Sequence, residues 1–195
     1  MTLTELLTRY RAGTGTERAD LARISPLAAH PDAWDRSTPL HLTASAVIVH
    51  PPTARVLLRW HQRQQAWQHV GGHADPGEAD PLAIALREGQ EETGLDDLVP
   101  WPDAGLVHVA VVPVRESASE PAHEHADLRF VLATDRPDEA RPEKPQAPLR
   151  WLDIEAAVAA MSRPNLRETM SRVARLLNAN GVAATSDDHP TRLTD

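Results

Sequence analysis

The segment from residue 41 to residue 50 is apolar on both faces of a β-strand, and this limits the folds available to the chain. Even positions carry leucine, alanine and isoleucine, while odd positions carry threonine, serine and valine. A strand of this kind is buried when helices cover both faces of its sheet. The turn at 51–53 and the apolar run at 55–59 predict an antiparallel partner strand. We therefore expect an α/β fold with a mixed sheet.

Periodicity and turn residues predict the remaining elements. Strands are expected at 105–114 and 125–134, and helices at 4–11, 16–28, 81–93, 154–161 and 165–178. Three segments follow: an N-terminal helical arm over 1–40, a mixed α/β domain over 41–178 and a disordered tail over 179–195. The arm could pack on its own domain or on a second subunit of a homodimer, and the sequence leaves both open.

Composition excludes several function classes. The 195 residues include no cysteine, which removes disulfide frameworks, thiol nucleophiles and cysteine-ligated zinc and favours a reducing compartment. The net charge of −8 argues against electrostatic binding of duplex nucleic acid. No run approaches the roughly 18 apolar residues of a membrane span, and the N-terminus has no signal-peptide core. We therefore expect a cytoplasmic protein that does not bind membranes.

The helix predicted at 81–93 carries the most informative side chains. Asp80 suits the N-cap, Pro81 the first turn and Gly94 the C-terminal stop. Within it Glu88, Glu91 and Glu92 follow i, i+3, i+4 spacing, so three carboxylates share a face. The opposite side is expected to face the core through Leu82, Leu86, Gly89 and Thr93.

Three adjacent carboxylates admit two interpretations. An acidic, solvated helix face is common and needs no ligand. A bound divalent cation would instead convert the repulsion between these charges into coordination, and oxygen ligands select Mg²⁺ or Mn²⁺.

The surrounding stretch, GGHADPGEADPLAIALREGQEETGL at 71–95, resembles the Nudix box, G-x5-E-x7-R-E-U-x-E-E-x-G-U, where U is aliphatic. The fixed positions are matched by Gly72, Glu78, Arg87, Glu88, Glu91, Glu92, Gly94 and Leu95. One extra residue before the helix and Gly89 at an aliphatic position depart from the pattern, but neither changes the carboxylate face. The resemblance implies an α/β/α sandwich with a mixed β-sheet, with the Nudix-like domain at 41–178.

The resemblance also implies a function. A Nudix-type hydrolase uses Mg²⁺, or Mn²⁺, to cleave a diphosphate bond in a nucleoside diphosphate linked to another group. Glu88, Glu91 and Glu92 would then hold the metal with the carbonyl of Gly72, and Arg87 would orient a glutamate. The same motif implies that Glu78 stabilises the loop. A metal-bound hydroxide would attack phosphorus, and one carboxylate would accept the proton.

The sequence does not identify that proton acceptor. Glu88 is one candidate, and the others are Glu116, Glu120, Glu124 and Asp127, which lie in or near the loop before the strand at 125–134. The alternative function is a Nudix-fold nucleotide sensor without turnover. The complete set of motif carboxylates favours the enzyme, because a sensor is free to lose them.

Histidine and tryptophan provide candidates for contacts to a small nucleotide-type substrate. His73 follows the motif glycine, and Trp67 is placed to line the pocket. His123 and His125 are two residues apart and would share a strand face, and ten histidines suggest zinc. Without cysteine or a third ligand at a characteristic spacing, contacts to phosphate or a structural role are favoured over zinc. We expect His125 and Asp127 to contact substrate.

Overall fold

The computed structural model describes residues 1–117 and 120–181. The helices are α1 (Leu3–Arg9), α2 (Gly15–Ile24), α3 (Pro81–Thr93), α4 (Ile154–Ala160) and α5 (Pro164–Ala179), with short 3₁₀ helices at Ser25–Ala29, Pro51–Thr53 and Pro137–Glu139. The strands are β1 (Leu40–His50), β2 (Arg55–His61), β3 (Ala66–Gln68), β4 (Val70–Gly72), β5 (Val99–Pro100), β6 (His108–Val114), β7 (His123–Ala133) and β8 (Leu149–Asp153).

The eight strands form one mixed sheet. Strand β1 pairs in parallel with β7 over residues 40–49, and the remaining pairs are antiparallel. On its other side, β1 pairs with β2 near His50 and with β4 near Ala44. Strand β4 therefore brings Gly71 and Gly72 against the middle of β1, where they begin the loop leading to α3.

Helices cover both faces of the sheet, which is the α/β/α arrangement expected from strands that are apolar on both sides. Even-numbered residues of β1 and β7 pack with α1, α2 and α3 in one core. Odd-numbered residues in the second half of both strands pack with α4 and α5 in a second core. The first half of that second face is polar instead, with His41, Thr43 and Ser45 on β1 opposite His125, Asp127 and Arg129 on β7.

Helix α3 has the predicted bounds because its end signals are local. The Asp80 side chain accepts hydrogen bonds from the backbone N–H groups of Leu82 and Ala83, at 2.9 and 3.2 Å. Gly94 ends the helix with a φ of 68°, in the left-handed region. A Cβ on Gly89 would lie 2.9 Å from Cδ1 of Leu98, so glycine allows close packing there.

The predicted orientation of α3 was wrong in one respect. Its fully buried positions include Ile84 and Ala85, whereas Leu82 and Leu86 are partly buried at the margin of the core. Glu88 and Glu92 share the helix side of Ile84 and Ala85, so they face the sheet and not the side opposite the core. Helical spacing showed that the glutamates are neighbours. Of the four residues expected to face the core, Gly89 and Thr93 are buried as predicted, whereas Leu82 and Leu86 lie at its margin.

The N-terminal arm packs on its own domain. Leu6, Leu7 and Ile24 lie in the core on the α3 side of the sheet. Glu17 of α2 is buried and pairs with Arg172 of α5 beyond the edge strand β6. Of the two options left open by the sequence, the described residues show the intramolecular one, while the homodimer and the division of the chain into three segments stay predictions.

Several element bounds differ from the predicted ones. The strand expected at 105–114 begins at His108. The strand expected at 125–134 corresponds to β7, which begins at His123 and ends at Ala133. The helix expected at 16–28 is α-helical to Ile24 and continues as a 3₁₀ turn, because Pro26 lacks the N–H needed for the helical ladder. Helix α5 extends to Ala179, and residues 182–195 of the predicted tail lie outside the described part. No helix in the described part is long and apolar enough to cross a membrane.

Candidate functional site

A cavity of about 250 Å³ lies against the polar half of the sheet, between β1, β7 and the β4 glycines. Thr43, Ser45, Asp127 and Arg129 contribute to its wall from the sheet, and Glu92 reaches it from α3. Gly72 and His73 also line it, because β4 leads directly from the sheet into the motif. The cavity therefore lies where the motif meets the only polar stretch of the β1–β7 pair within the described residues.

Glu92 is held at this cavity by one cation and one backbone group. Its Oε1 lies 3.2 Å from Nη1 of Arg59, and its Oε2 accepts a hydrogen bond from the N–H of Gly71 at 3.1 Å. The side chain is only 13% exposed. Burial raises the pKa of Glu92 to about 7, with the Arg59 charge acting in the opposite direction. Burial therefore outweighs the stabilisation that Arg59 and the Gly71 N–H give to the charged form of Glu92.

Glu88 lies one helical turn earlier, directly against Gly72. A Cβ placed on Gly72 would be 2.7 Å from the Glu88 carboxylate atoms, so glycine leaves the space that this side chain fills. The Glu88 side chain is 15% exposed, and burial raises its pKa. Two largely buried carboxylates therefore meet the backbone of the β4 glycines.

Arg87 connects the carboxylates of the motif. Its guanidinium binds both carboxylate oxygens of Glu78 and lies 3.0 Å from oxygens of both Glu88 and Glu91. It also donates to the carbonyl of His73 at 2.8 Å. Hydrogen bonding to Glu78 raises the pKa of Arg87, so this cation stays charged. Arg87 fixes the loop and Glu88 together, and the resemblance had implied an orienting role for it.

Glu91 differs from the other two motif glutamates in its surroundings. Its side chain is 55% exposed and points towards Arg87, while Glu88 and Glu92 are largely buried. Residue 91 is rotated about 100° from residue 92, which is enough to move a side chain from the sheet side of α3 to its rim. The structure therefore places Glu92 in the cavity lining and Glu88 against Gly72, both largely buried, and leaves Glu91 exposed.

Asp127 is enclosed by hydrogen bonds. Its Oδ1 accepts from the hydroxyls of Thr43 and Ser45 at 3.0 and 2.7 Å, and its Oδ2 accepts from Nε of Arg129 at 2.7 Å. Burial alone would raise the pKa of Asp127, but the Arg129 charge and these hydrogen bonds outweigh it and lower the pKa to about 2. Such a carboxylate is a weak base, so its position favours a structural role over proton transfer or direct substrate binding.

The other loop carboxylates lie away from the cavity wall. Glu124 pairs with Arg23 of α2, and Glu120 pairs with Arg63 at 3.1 Å. Glu116 is exposed.

Trp67 lies outside the set of residues that line the cavity. Its ring packs edge to face against Trp60, with the ring centroids 5.5 Å apart. Strand pairing between β2 and β3 places the two tryptophans opposite each other, and this long-range pairing is not visible from Trp67 alone.

Four histidines meet at one end of the cavity. The Nε2 atoms of His73 and His41 are 3.1 Å apart, as are those of His123 and His125. Burial is the main cause that lowers the pKa of His73 to about 3 and that of His125 to about 4. His73 and His125 line the cavity as expected for substrate contacts, although His41 was not among the sequence candidates.

Three further residues at the site were also absent from the sequence candidates. Among the described residues, only Nε of Arg59 and Nε2 of His69 are buried side-chain nitrogens without a hydrogen-bond partner, and both residues line the cavity. Glu143 lies 3.9 Å from Arg59, and its backbone N–H faces the carbonyl of Glu92 at 3.4 Å. These residues come from β2, β3–β4 and the loop before β8, so no local motif marks them.

The donor set at α3 fits a hard divalent cation. Glu88 and Glu92 supply carboxylate oxygens, and Gly72, which Glu88 contacts, carries a backbone carbonyl oxygen. Burial disfavours the charged forms of both glutamates in the absence of a counter-ion. Arg87 contacts Oε1 of Glu88, while Arg59 and the N–H of Gly71 each contact one oxygen of Glu92. Mg²⁺ and Mn²⁺ prefer such oxygen ligands.

A second, larger cavity of about 910 Å³ adjoins the first. It lies between α2, β6 and the start of α5, and contains none of the motif glutamates. Both cavities are lined by Gln64, Val112, Arg163 and Asn165, so they form adjacent parts of one cleft.

Comparisons with known proteins agree with this geometry. A family model described as the NUDIX domain matches residues 39–175. The solved structure of a C. elegans Ap4A hydrolase binary complex has a TM-score of 0.56 and 19% identity, covering 71% of this chain and 98% of that one. An E. coli dihydroneopterin triphosphate pyrophosphohydrolase has a TM-score of 0.52 and 20% identity, covering 70% and 95%. A search of curated proteins found no match. At these identities the structural likeness establishes the fold.

Proposed function

The chain belongs to the Nudix family, and on that premise we propose that it is a hydrolase, dependent on Mg²⁺ or Mn²⁺, that cleaves a diphosphate linkage in a nucleoside diphosphate joined to another group. The observation that carries the proposal is the pair of largely buried carboxylates, Glu88 and Glu92, that meet the β4 glycines, Glu92 also lining the polar cavity. A sensor that only binds nucleotide does not need two desolvated acids at this position.

Each residue has a distinct part in the proposed mechanism. Glu88, Glu92 and the Gly72 carbonyl would hold the cation, and the exposed Glu91 would add negative charge at the rim. The cation neutralises phosphate charge and makes a water more acidic. Arg87 is a positioning residue, because it binds Glu88 and the His73 carbonyl and leaves no free edge towards the cavity.

Arg59 is suited to bind a phosphate oxygen. Its buried Nε lacks a hydrogen-bond partner, and its guanidinium lies between Glu92 and Glu143. A phosphate oxygen accepts a stronger, charge-assisted hydrogen bond from a guanidinium group than a water molecule does. A water molecule would also have to be ordered in this small cavity. Glu88 is the candidate acceptor for the proton of the attacking water, since Asp127 is already saturated by donors.

The two cavities of the cleft would bind different parts of the substrate. The smaller cavity has the polar wall and takes the diphosphate, and the larger one takes the nucleoside or the other linked group. A volume of about 910 Å³ is within the range of small-molecule sites, and its boundary residues Arg163 and Asn165 are shared with the smaller cavity.

The test is hydrolysis of a panel of nucleoside diphosphate derivatives with and without Mg²⁺, followed by chromatography of the products. We expect turnover that stops in chelator, and a loss of kcat/KM of about 100-fold or more in Glu92→Gln. Glu155→Gln, on the exposed side of α4, is the matched control and should retain activity. Circular dichroism checks that both variants fold. Binding of nucleotides without turnover by the wild-type protein would favour the sensor instead.

A further inference from the structure

Three histidines from two strands form a second cluster of ligand-type side chains near the cavity. His41 lies at the start of β1, and His123 and His125 lie at the start of β7. One ligand atom from each of the three lies within 4.8 Å of the others. In a tetrahedral zinc site, with zinc–nitrogen bonds of about 2.0–2.1 Å, ligand atoms are separated by about 3.4 Å. Small side-chain rotations would close this difference.

The hydrogen bonds of these rings direct two lone pairs into the cluster. Nδ1 of His41 lies 2.8 Å from the carbonyl of Thr38, and Nδ1 of His123 lies 2.9 Å from the carbonyl of Pro121. A carbonyl only accepts, so each Nδ1 carries the proton, and the neutral ring presents an unprotonated Nε2. A backbone carbonyl on the remote nitrogen is the usual outer contact of a metal-bound histidine.

The backbone also holds the cluster in place. His41 and His125 are direct partners in the parallel β1–β7 ladder. His123 precedes His125 by two residues and lies on the same face of β7. His41 is 1% exposed, whereas His123 and His125 are partly exposed. An ion could therefore reach the cluster from solvent and meet a rigid ligand at its base.

From this arrangement we propose that His41, His123 and His125 bind a transition-metal ion of the zinc class, at a site separate from the motif carboxylates. Imidazole nitrogens favour Zn²⁺ and related ions over Mg²⁺, which prefers oxygen. Binding replaces two contacts, the one between His125 and His123 and the one between His73 and His41, because the ion takes the Nε2 atoms. His73 is then adjacent to the fourth coordination position. The ion would lie at the cavity wall, which His125 helps to form.

The inference does not depend on the proposed hydrolase activity, because it is tested by binding. Full-length protein, prepared free of metal, is titrated with Zn²⁺ against a chromophoric chelator, with millimolar Mg²⁺ present throughout. A parallel titration with Co²⁺ reads the visible absorption of a tetrahedral nitrogen site. We expect one Zn²⁺ per chain with a dissociation constant in the micromolar range or below.

Two ligand variants and two controls assign the ion to its ligands. His123→Gln and His125→Gln should each weaken Zn²⁺ binding by at least about 100-fold. The matched control is His30→Gln, an exposed histidine of the arm, which should bind as the wild type does. Glu92→Gln should also keep the site. Binding that is absent in the wild type, unchanged in His123→Gln and His125→Gln, or lost in Glu92→Gln overturns the inference. Circular dichroism confirms that each variant is folded.

Discussion

Replacing Gly72 by alanine separates the geometry of the carboxylate site from the stability of the fold. The new Cβ would lie 2.7 Å from Cδ and both oxygens of Glu88, whereas ordinary contacts at a Cβ are 3.4–4 Å, so the carboxylate must move by about 0.7 Å or more. The displaced group is the end of a flexible side chain and can turn away. The backbone at Gly72 has an ordinary φ, so alanine itself causes no strain there.

The two expected effects differ in size. A Gly→Ala change contributes about 0.4–1 kcal/mol through the unfolded chain, and weakening the partly exposed pair between Glu88 and Arg87 costs up to about 1 kcal/mol. The net change in the free energy of unfolding should therefore be within about 1 kcal/mol of zero. Displacement of a ligating or catalytic group by this distance can cost about 100-fold in rate, equivalent to about 2.7 kcal/mol of transition-state stabilisation.

Three measurements on each variant provide the comparison: urea denaturation, the affinity for Mn²⁺, and kcat/KM on the substrate that the panel identifies. Gly15→Ala is the matched control, because its Cβ would meet nothing closer than 3.9 Å. Gly71→Ala provides the contrasting case: its φ is +143° and its Cβ would lie 2.5 Å from the Ser45 backbone, so it should lose stability first. Wild-type Mn²⁺ affinity and activity in Gly72→Ala would refute the assigned contact between Gly72 and Glu88.

Three further predictions concern stability. Asp127→Asn leaves the Arg129 guanidinium buried without its counter-ion and should cost about 3–5 kcal/mol in urea denaturation; a change below about 1 kcal/mol would show that the pair is unimportant. Asp80→Ala removes the N-cap of α3 and should lower the free energy of unfolding by about 1 kcal/mol while Mn²⁺ affinity is retained; loss of Mn²⁺ binding would contradict this. Burial lowers the pKa of His108 to about 3, so between pH 6.5 and pH 3 the unfolded chain binds a proton that the folded chain does not, and stability falls as the pH falls. At pH 5 this contributes about 2 kcal/mol of lost stability relative to pH 7.5, which His108→Gln should remove; an unchanged acid profile would argue against it.

Local signals and long-range pairing explain which parts of the fold could be predicted from the sequence. Helix α3 was predicted with its true bounds, because Asp80, Pro81 and Gly94 act within one turn of its ends. The buried character of β1 was predicted because the residue types on both faces of a single strand can be read from its sequence. Strand β6 begins three residues later than expected. Its pairing with β7 starts at His108, whereas the apolar run used for the prediction starts at residue 105.

The candidate site shows the same division. Glu88 and Glu92 belong to a contiguous motif, so their proximity follows from helical spacing alone. Arg59 and Glu143 reach Glu92 from distant parts of the chain. His41 joins His125 only because β1 and β7 run parallel in one register, and no spacing within the sequence encodes that register. A third imidazole near His123 and His125 could thus not be found from their own neighbourhood.

The buried pair between Glu17 and Arg172 joins the N-terminal arm to α5. A shortened chain that begins at residue 39, where the family match begins, would leave the Arg172 guanidinium without this partner and would uncover the core residues that Ile24 packs against. It would also remove Thr14, Thr16 and Asp20, which form one wall of the larger cavity. The size of the group that the larger cavity can admit is therefore set partly by residues outside the segment that the family model matches.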